Sequence, residues 1–300
     1  GYASLSTATT ATENVAIGVG AMEDVTAGVA VARCVVIGKG AVAGGGTQTT
    51  DIDGTVAIGY NSLNALTEGA GNTAVGYTAM TAQTTGNYST AVGYQSLNQL
   101  NKSGTVGNTA LGWKAGYGQT TAGYENVYVG YNAGVAHTGE ESVIIGSNCG
   151  ASATSQAYLV LIGKSAGQDI NDDAADGTVA IGHSAGANIT TGAGNIAIGF
   201  KSLLEHTEGS RNMAIGYQAM YNTWDGSADD SRESSDNVAI GYQSMGGAWT
   251  DADADDNDMS QFNVAIGNYT MNGAMAGCLN NTAVGYHSLN ALTTGGNNVA

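Results

Sequence analysis

The six residues NTAVGY at 72–77 return as NTAVGY at 281–286, with STAVGY at 89–94 and NVAIGY at 237–242 between them. Aligned on the glycine that closes AVG or AIG, the copies fall at Gly1, Gly18, Gly38, Gly59, Gly76, Gly93, Gly112, Gly130, Gly146, Gly163, Gly182, Gly199, Gly216, Gly241, Gly267 and Gly285. Their commonest spacing is 17 residues, with insertions that stretch some copies to 26. A period this short lies below those of helical repeats and propeller blades and fits one coil of a β-solenoid.

The residue before the glycine is Ile, Val or Leu (Ile17, Ile58, Val75, Leu111), and two places earlier stands Val, Thr, Ile or Met (Val15, Thr73, Ile196, Met213). Side chains alternate along a strand, so these two positions share one face. The position between them faces the other way and is never polar: Ala in most copies, Val36, Tyr128, Ile144 or Leu161 in others. A strand apolar on both faces is normally covered on both. A thin coil encloses one interior, so the second face is expected to need cover from another chain. Ala74, Ala91, Tyr128, Ile144 and Leu161 are the expected interface residues, the alternative being an alanine column that tolerates water.

Four places after the glycine stands Leu, Met or Val in eleven copies and Gly in five consecutive ones (Gly116, Gly134, Gly150, Gly167, Gly186). In three of those five the mid-strand residue is Tyr128, Ile144 or Leu161. Interiors tolerate volume-conserving exchanges best, so the two positions are expected to share a core. Asn opens many copies (Asn72, Asn108, Asn195, Asn237), where stacked amides can form a ladder. An aromatic residue often follows the glycine (Tyr60, Tyr77, Tyr94, Trp113, Tyr131), either stacked for structure or arrayed as a sugar-binding strip.

Composition agrees with strands and turns: 47 Gly, no Pro and few helix formers. The expected fold is therefore all-β, a single repeat rod over 1–300 of about sixteen coils of ~17 residues, roughly 75–80 Å long at ~4.8 Å per coil. Insertions fall at 19–34, 39–54, 221–236 and 246–262. A net charge of -17, with only 8 Lys and Arg scattered singly, argues against nucleic acid as a partner. No apolar run reaches the ~18 residues of a membrane helix, so no membrane insertion is expected in this segment. Cys34, Cys149 and Cys278 lack CxxC spacing and read as free small hydrophobes. The chain begins and ends within a repeat, so it is expected to be a fragment of a longer one.

The motifs ENVAIG (13–18), GTVAIG (54–59 and 177–182), GNIAIG (194–199) and FNVAIG (262–267) resemble the head repeats of YadA-like trimeric autotransporter adhesins. GYNSLNALTEG (59–69) and GYHSLNALTTG (285–295) look like repeats in tail fibres of bacteriophages. The resemblance implies a left-handed parallel β-roll wound as a homotrimer, which would supply the missing cover. Coils of 17 or more residues are longer than the usual head coil.

Long loops on a rigid frame are where recognition residues sit. The insertions carry Trp224 with Asp225, Asp229 and Asp230, and also Trp249, as candidates for contact with a cell-surface glycan or outer-membrane receptor; solvated loops with Trp packed on the rod are the plainer reading. Asp251, Asp253, Asp255 and Asp258 are candidate calcium ligands, although the glycine and glutamate of a helix–loop–helix calcium site are missing. No other cofactor is expected. The four His are scattered, no nucleophile or phosphate-loop motif is present, and the chain is not expected to be an enzyme. The expected role is a structural, receptor-binding fibre on a virion, with a cell-surface adhesin or other extracellular filament as the alternative, and a glycan-degrading spike as a third.

Overall fold

In a computed structural model the chain is all-β; among the described residues the one helical element is the three-residue turn Asp173–Ala175. The structure describes residues 1–6, 10–25, 29–44, 51–223, 234–249 and 259–300. The chain divides into two compact units, Gly1–Ile145 and Gly146–Ala300. Each is a parallel β-solenoid in which a coil contacts mainly the coils next to it.

In the first unit, three-residue strands from Val15–Ile17 to Val143–Ile145 pair in parallel without slippage, Ala57 beside Ala74, Ala74 beside Ala91, Ala110 beside Tyr128. Strands from Val160–Ile162 to Thr282–Val284 do the same in the second. Each step between neighbouring strands is one turn, seven in the first unit and six in the second. That makes about 13 turns. Fifteen of the sixteen repeat glycines follow a strand, and the steps between paired strands within the two units give the 13 turns in place of the sixteen coils expected.

The strands stop at three residues because the repeat glycine leaves the extended region. Gly76 has φ +144, and a Cβ there would stand 2.2 Å from the carbonyl oxygen of Gly93 on the next coil. Conformation and space both demand glycine. Beyond it the chain turns through alternate left-handed residues, Thr78 (φ 49) and Met80 (φ 51), a pattern kept in the other copies. The turn is itself laddered, with Thr78 N–H donating to Tyr60 O at 2.8 Å and Met80 N–H to Ser96 O at 3.0 Å. Backbone donors that a tight turn would leave unpaired are thus satisfied by neighbouring coils.

The interior is narrow. It holds the mid-strand residue, the small residue three places after the glycine and the Leu or Met four places after it: Ala74, Ala79 and Met80 are all at 0% exposure. The expected shared core is present. A Cβ on Gly134 would lie 2.5 Å from the Tyr128 ring and 3.3 Å from Ile144, and one on Gly167 would lie 2.7 Å from Leu161. The amide ladder also forms. In the second unit Asn195, Asn212, Asn237, Asn263 and Asn281 are buried, and each Oδ1 accepts from the backbone N–H of the next Asn, as in Asn212 to Asn195 at 2.9 Å.

The two strand faces are reversed from expectation. Ala74, Ala91, Tyr128, Ile144 and Leu161 are at 0% exposure within their own chain, so they line the coil interior and a neighbouring chain cannot reach them. The Val, Ile and Thr residues that flank them point outward.

Candidate interaction surface

The outward face of each sheet carries two columns of mostly β-branched residues, one a place before the repeat glycine and one three places before it. Most are part-exposed, and some are exposed outright, such as Leu111 at 50% and Val284 at 58%. Parallel pairing keeps the columns in register, so an apolar stripe one place before the glycine repeats with every coil, beside a second column of Val, Ile and Met in which Thr73, Thr90, Thr109 and Thr282 also stand. An apolar surface repeated in this way marks an interaction site.

Beside the stripe runs the aromatic column. Tyr60, Tyr77 and Tyr94 stack with ring centroids 5.2 Å apart and planes within 13°, and Trp113 and Tyr131 continue the stack at 6.2 and 4.7 Å. In the second unit His183, Phe200, Tyr217 and Tyr242 stack at 5.1–5.4 Å. Each ring covers the face of its neighbour, so solvent meets mainly ring edges. A sugar platform needs free faces, and this column is a structural stack. His183 serves here as a flat ring, the place that tyrosine takes in other copies.

Of the residues expected to contact a receptor, Trp249 lies within the described residues. It is 5% exposed, its backbone N–H donates to Asn222 O at 3.0 Å, and its indole N–H has no partner among the described residues. The ring is packed on the coil and offers no free recognition face, as in the plainer reading. Trp224, Asp225, Asp229 and Asp230, with the candidate calcium ligands Asp251, Asp253, Asp255 and Asp258, lie outside the described residues. Among the described residues no three of His, Cys, Asp and Glu come together to hold a metal ion, and no helix is long and apolar enough to cross a membrane.

Titratable groups inside the coil are bound into polar clusters. His206 is buried, with Nδ1 3.0 Å from Thr223 Oγ1 and Nε2 3.2 Å from the Gly209 carbonyl. Burial, only partly offset by that carbonyl, lowers its pKa to about 4. The Tyr128 hydroxyl lies 2.7 Å from His137 Nδ1 and close to the Gln119 amide, and burial pushes the phenol far up. Cys34, Cys149 and Cys278 are buried thiols, and burial raises the pKa of Cys34 and Cys278. These groups are enclosed rather than presented, which suits structure better than chemistry on a substrate.

Sequence reasoning missed the outward Val and Ile columns as the candidate surface. The signal was available in the exchange between Gly116 or Gly134 and Tyr128, because a residue that shares the core with the turn must face inward. No family model matches the chain, and no curated protein matches it.

Proposed function

We propose that this chain is a structural, receptor-binding segment of an extracellular fibre, of the kind carried by phage tails, a left-handed β-roll assembled as a homotrimer. The observation that carries the reading is the apolar stripe on the outward face of both units. A surface that repeats once per coil is matched best by a partner with the same repeat, and another copy of the chain has it. Symmetric self-association is also the common solution for such a face. The repeats that resemble YadA-like heads and tail fibres support three chains around one axis, with Val75, Val92 and their equivalents turned inward. The fibre holds loops away from a particle for host attachment, works without catalysis, and engages neither nucleic acid nor a bilayer.

Solution mass tests the assembly. Sedimentation is expected to give about 90 kDa for three chains of 30.0 kDa, persisting at micromolar concentration. Val75→Lys combined with Val92→Lys is expected to yield folded monomers. Ala74→Asp, which places a charge inside the coil, is expected to unfold the first unit instead. A wild-type monomer with unchanged melting on the outward Lys pair would overturn the trimer. Attachment is tested by the binding of labelled chain to intact bacterial cells.

A further inference from the structure

Among the described residues of the first unit, a groove opens on the flank of the coil. Residues five to nine places ahead of the repeat glycines of four successive coils line its volume of about 630 Å³, with Asp51, Glu68, Thr85, Asn87, Tyr88 and Ser103 on its walls. That volume lies within the range of roughly 300–1,000 Å³ typical of ligand sites. A second pair of strands, Gly86–Asn87 beside Gly104–Thr105, forms in its lining, and it is the only such pair among the described residues. In an array this repetitive, a local departure needs its own explanation.

The groove is furnished for a particular chemistry. Asn87 Oδ1 accepts the Ala70 N–H at 3.0 Å, which fixes the amide, while its Nδ2 donors have no partner among the described residues. One Asp51 carboxylate oxygen accepts the Asp53 N–H at 2.9 Å, leaving the other for a ligand. Thr85 and Ser103 add hydroxyls. Tyr88 is 61% exposed, at a place whose left-handed backbone (φ 59) recurs in other coils, as at Glu125 (φ 54) and Tyr158 (φ 60). One edge of its ring rests over Gly71, where a Cβ would come within 2.8 Å. The matching places on the two neighbouring coils are Gly71 and Gly107, so no side chain stacks on it from that column. Unlike the rings of the aromatic column, Tyr88 keeps a free face.

An open aromatic face flanked by a fixed amide donor, hydroxyls and a carboxylate acceptor suits a pyranose ring, whose C–H face is apolar and whose rim is hydroxylated. The charged groups in the lining, Asp51 and Glu68, are both acids, and Arg33 beside Asp51 is engaged by Asp53 at 2.7 Å. A lining of that sign disfavours uronates and sialylated chains.

We propose that this groove binds a neutral or amino-bearing oligosaccharide, with one sugar ring on Tyr88 and its hydroxyls bonded to Asn87 Nδ2 and the Asp51 carboxylate. The inference rests on the attachment reading and supplies its receptor chemistry. Saturation-transfer NMR and calorimetry on the full chain would use maltotriose, cellotriose, tri-N-acetylchitotriose and chitosan trimer, with trigalacturonate as the acidic counterpart.

At least one of the first four is expected to bind and trigalacturonate is not. Tyr88→Ala, at an exposed position, is expected to weaken binding at least tenfold with unchanged circular dichroism. Should that variant misfold, Asp51→Asn serves instead, and it is expected to weaken chitosan trimer at least threefold more than the neutral sugars. Binding of trigalacturonate equal to the best neutral sugar, no binding across the panel, or wild-type affinity in both variants would overturn the proposal. Cells bound equally by wild type and Tyr88→Ala would remove the groove from attachment and leave the fibre reading intact. A wild-type chain that binds sugar through Tyr88 but no cells would do the reverse.

Discussion

Coils anchored on Gly59, Gly76 and Gly93 fill their interior from the turn, whereas those on Gly112 and Gly130 fill it from the strand. In the first group Ala57, Ala74 and Ala91 face Leu63, Met80 and Leu97; in the second Gly116 and Gly134 stand in the turn and Tyr128 projects from the strand. The exchange is not confined to one coil. The Tyr128 ring lies against both Gly116 and Gly134, where added Cβ atoms would fall 2.7 and 2.5 Å away. Volume is therefore conserved along the array rather than repeat by repeat. A single coil can depart from the consensus if a neighbour compensates.

The sharpest way to break that comparison is to restore the consensus residue where the ring already sits. Gly134→Leu needs no new backbone conformation, since Leu63 and Leu97 hold the same left-handed position at φ 47 and 45. The cost is steric, and with a Cβ 2.5 Å from a ring that packing encloses it is expected to exceed about 3 kcal/mol. Tyr128→Ala alone is expected to cost about 3–5 kcal/mol through the cavity it leaves. The double variant is expected to recover most of the loss in thermal and urea unfolding of the first unit. If it melts no higher than the worse single variant, the two positions do not trade volume.

A comparison between coils at the seventh place after the glycine gives the next largest effect. Leu66 and Leu100 occupy that inner place in the first unit and Ile170 and Ile189 in the second, while a buried His stands there once in each, His137 and His206. The His206 pKa of about 4 lies below the ordinary 6.5, so the folded chain favours the neutral ring. The associated stability is complete above pH 6.5 and is lost as pH falls through 4, by about 3 kcal/mol at pH 4. His206→Leu is expected to flatten this part of the pH dependence of the melting temperature. An unchanged difference between pH 7 and pH 4 in that variant would place the acid sensitivity elsewhere.

Much of the coil was legible in the residues. The repeat glycine, the period near 17, the parallel register, the amide ladder and the exchange between turn and strand all leave a signature in residue type. Which face of the strand turns inward does not, because both faces are apolar and period-two alternation separates them without labelling them. The exchange with the turn resolves it. A residue that trades volume with the turn, as Tyr128 does with Gly116 and Gly134, must face the interior, which leaves the flanking Val and Ile columns outside. The groove at Tyr88 was also hidden, for its lining is gathered from four coils, and no one repeat contains enough of it to form a motif.

The turn was the least legible part, and it yields the smallest and cleanest prediction. Left-handed backbone recurs two places after the repeat glycine, yet the residues there are as varied as Asn61, Thr78, Gln95, Lys114 and Ser184. Glycine announces the conformation in only two copies, Gly20 (φ 66) and Gly40 (φ 68). The other copies are held there by the ladder, as when Ser184 N–H donates to Lys164 O at 2.9 Å, and each bears local strain of roughly 1–2 kcal/mol for a non-glycine residue. Ser184→Gly relieves that strain but gives the unfolded chain more freedom, which returns about 0.5–1 kcal/mol. The balance is a stabilisation of about 0.5 kcal/mol, read as a rise of a degree or two in the melting of the second unit. At Gly76, by contrast, alanine has no such latitude, because its methyl would collide with backbone rather than merely adopt an unfavourable φ. A fall in melting temperature for Ser184→Gly would mean that the ladder, rather than residue preference, sets the energy of the turn.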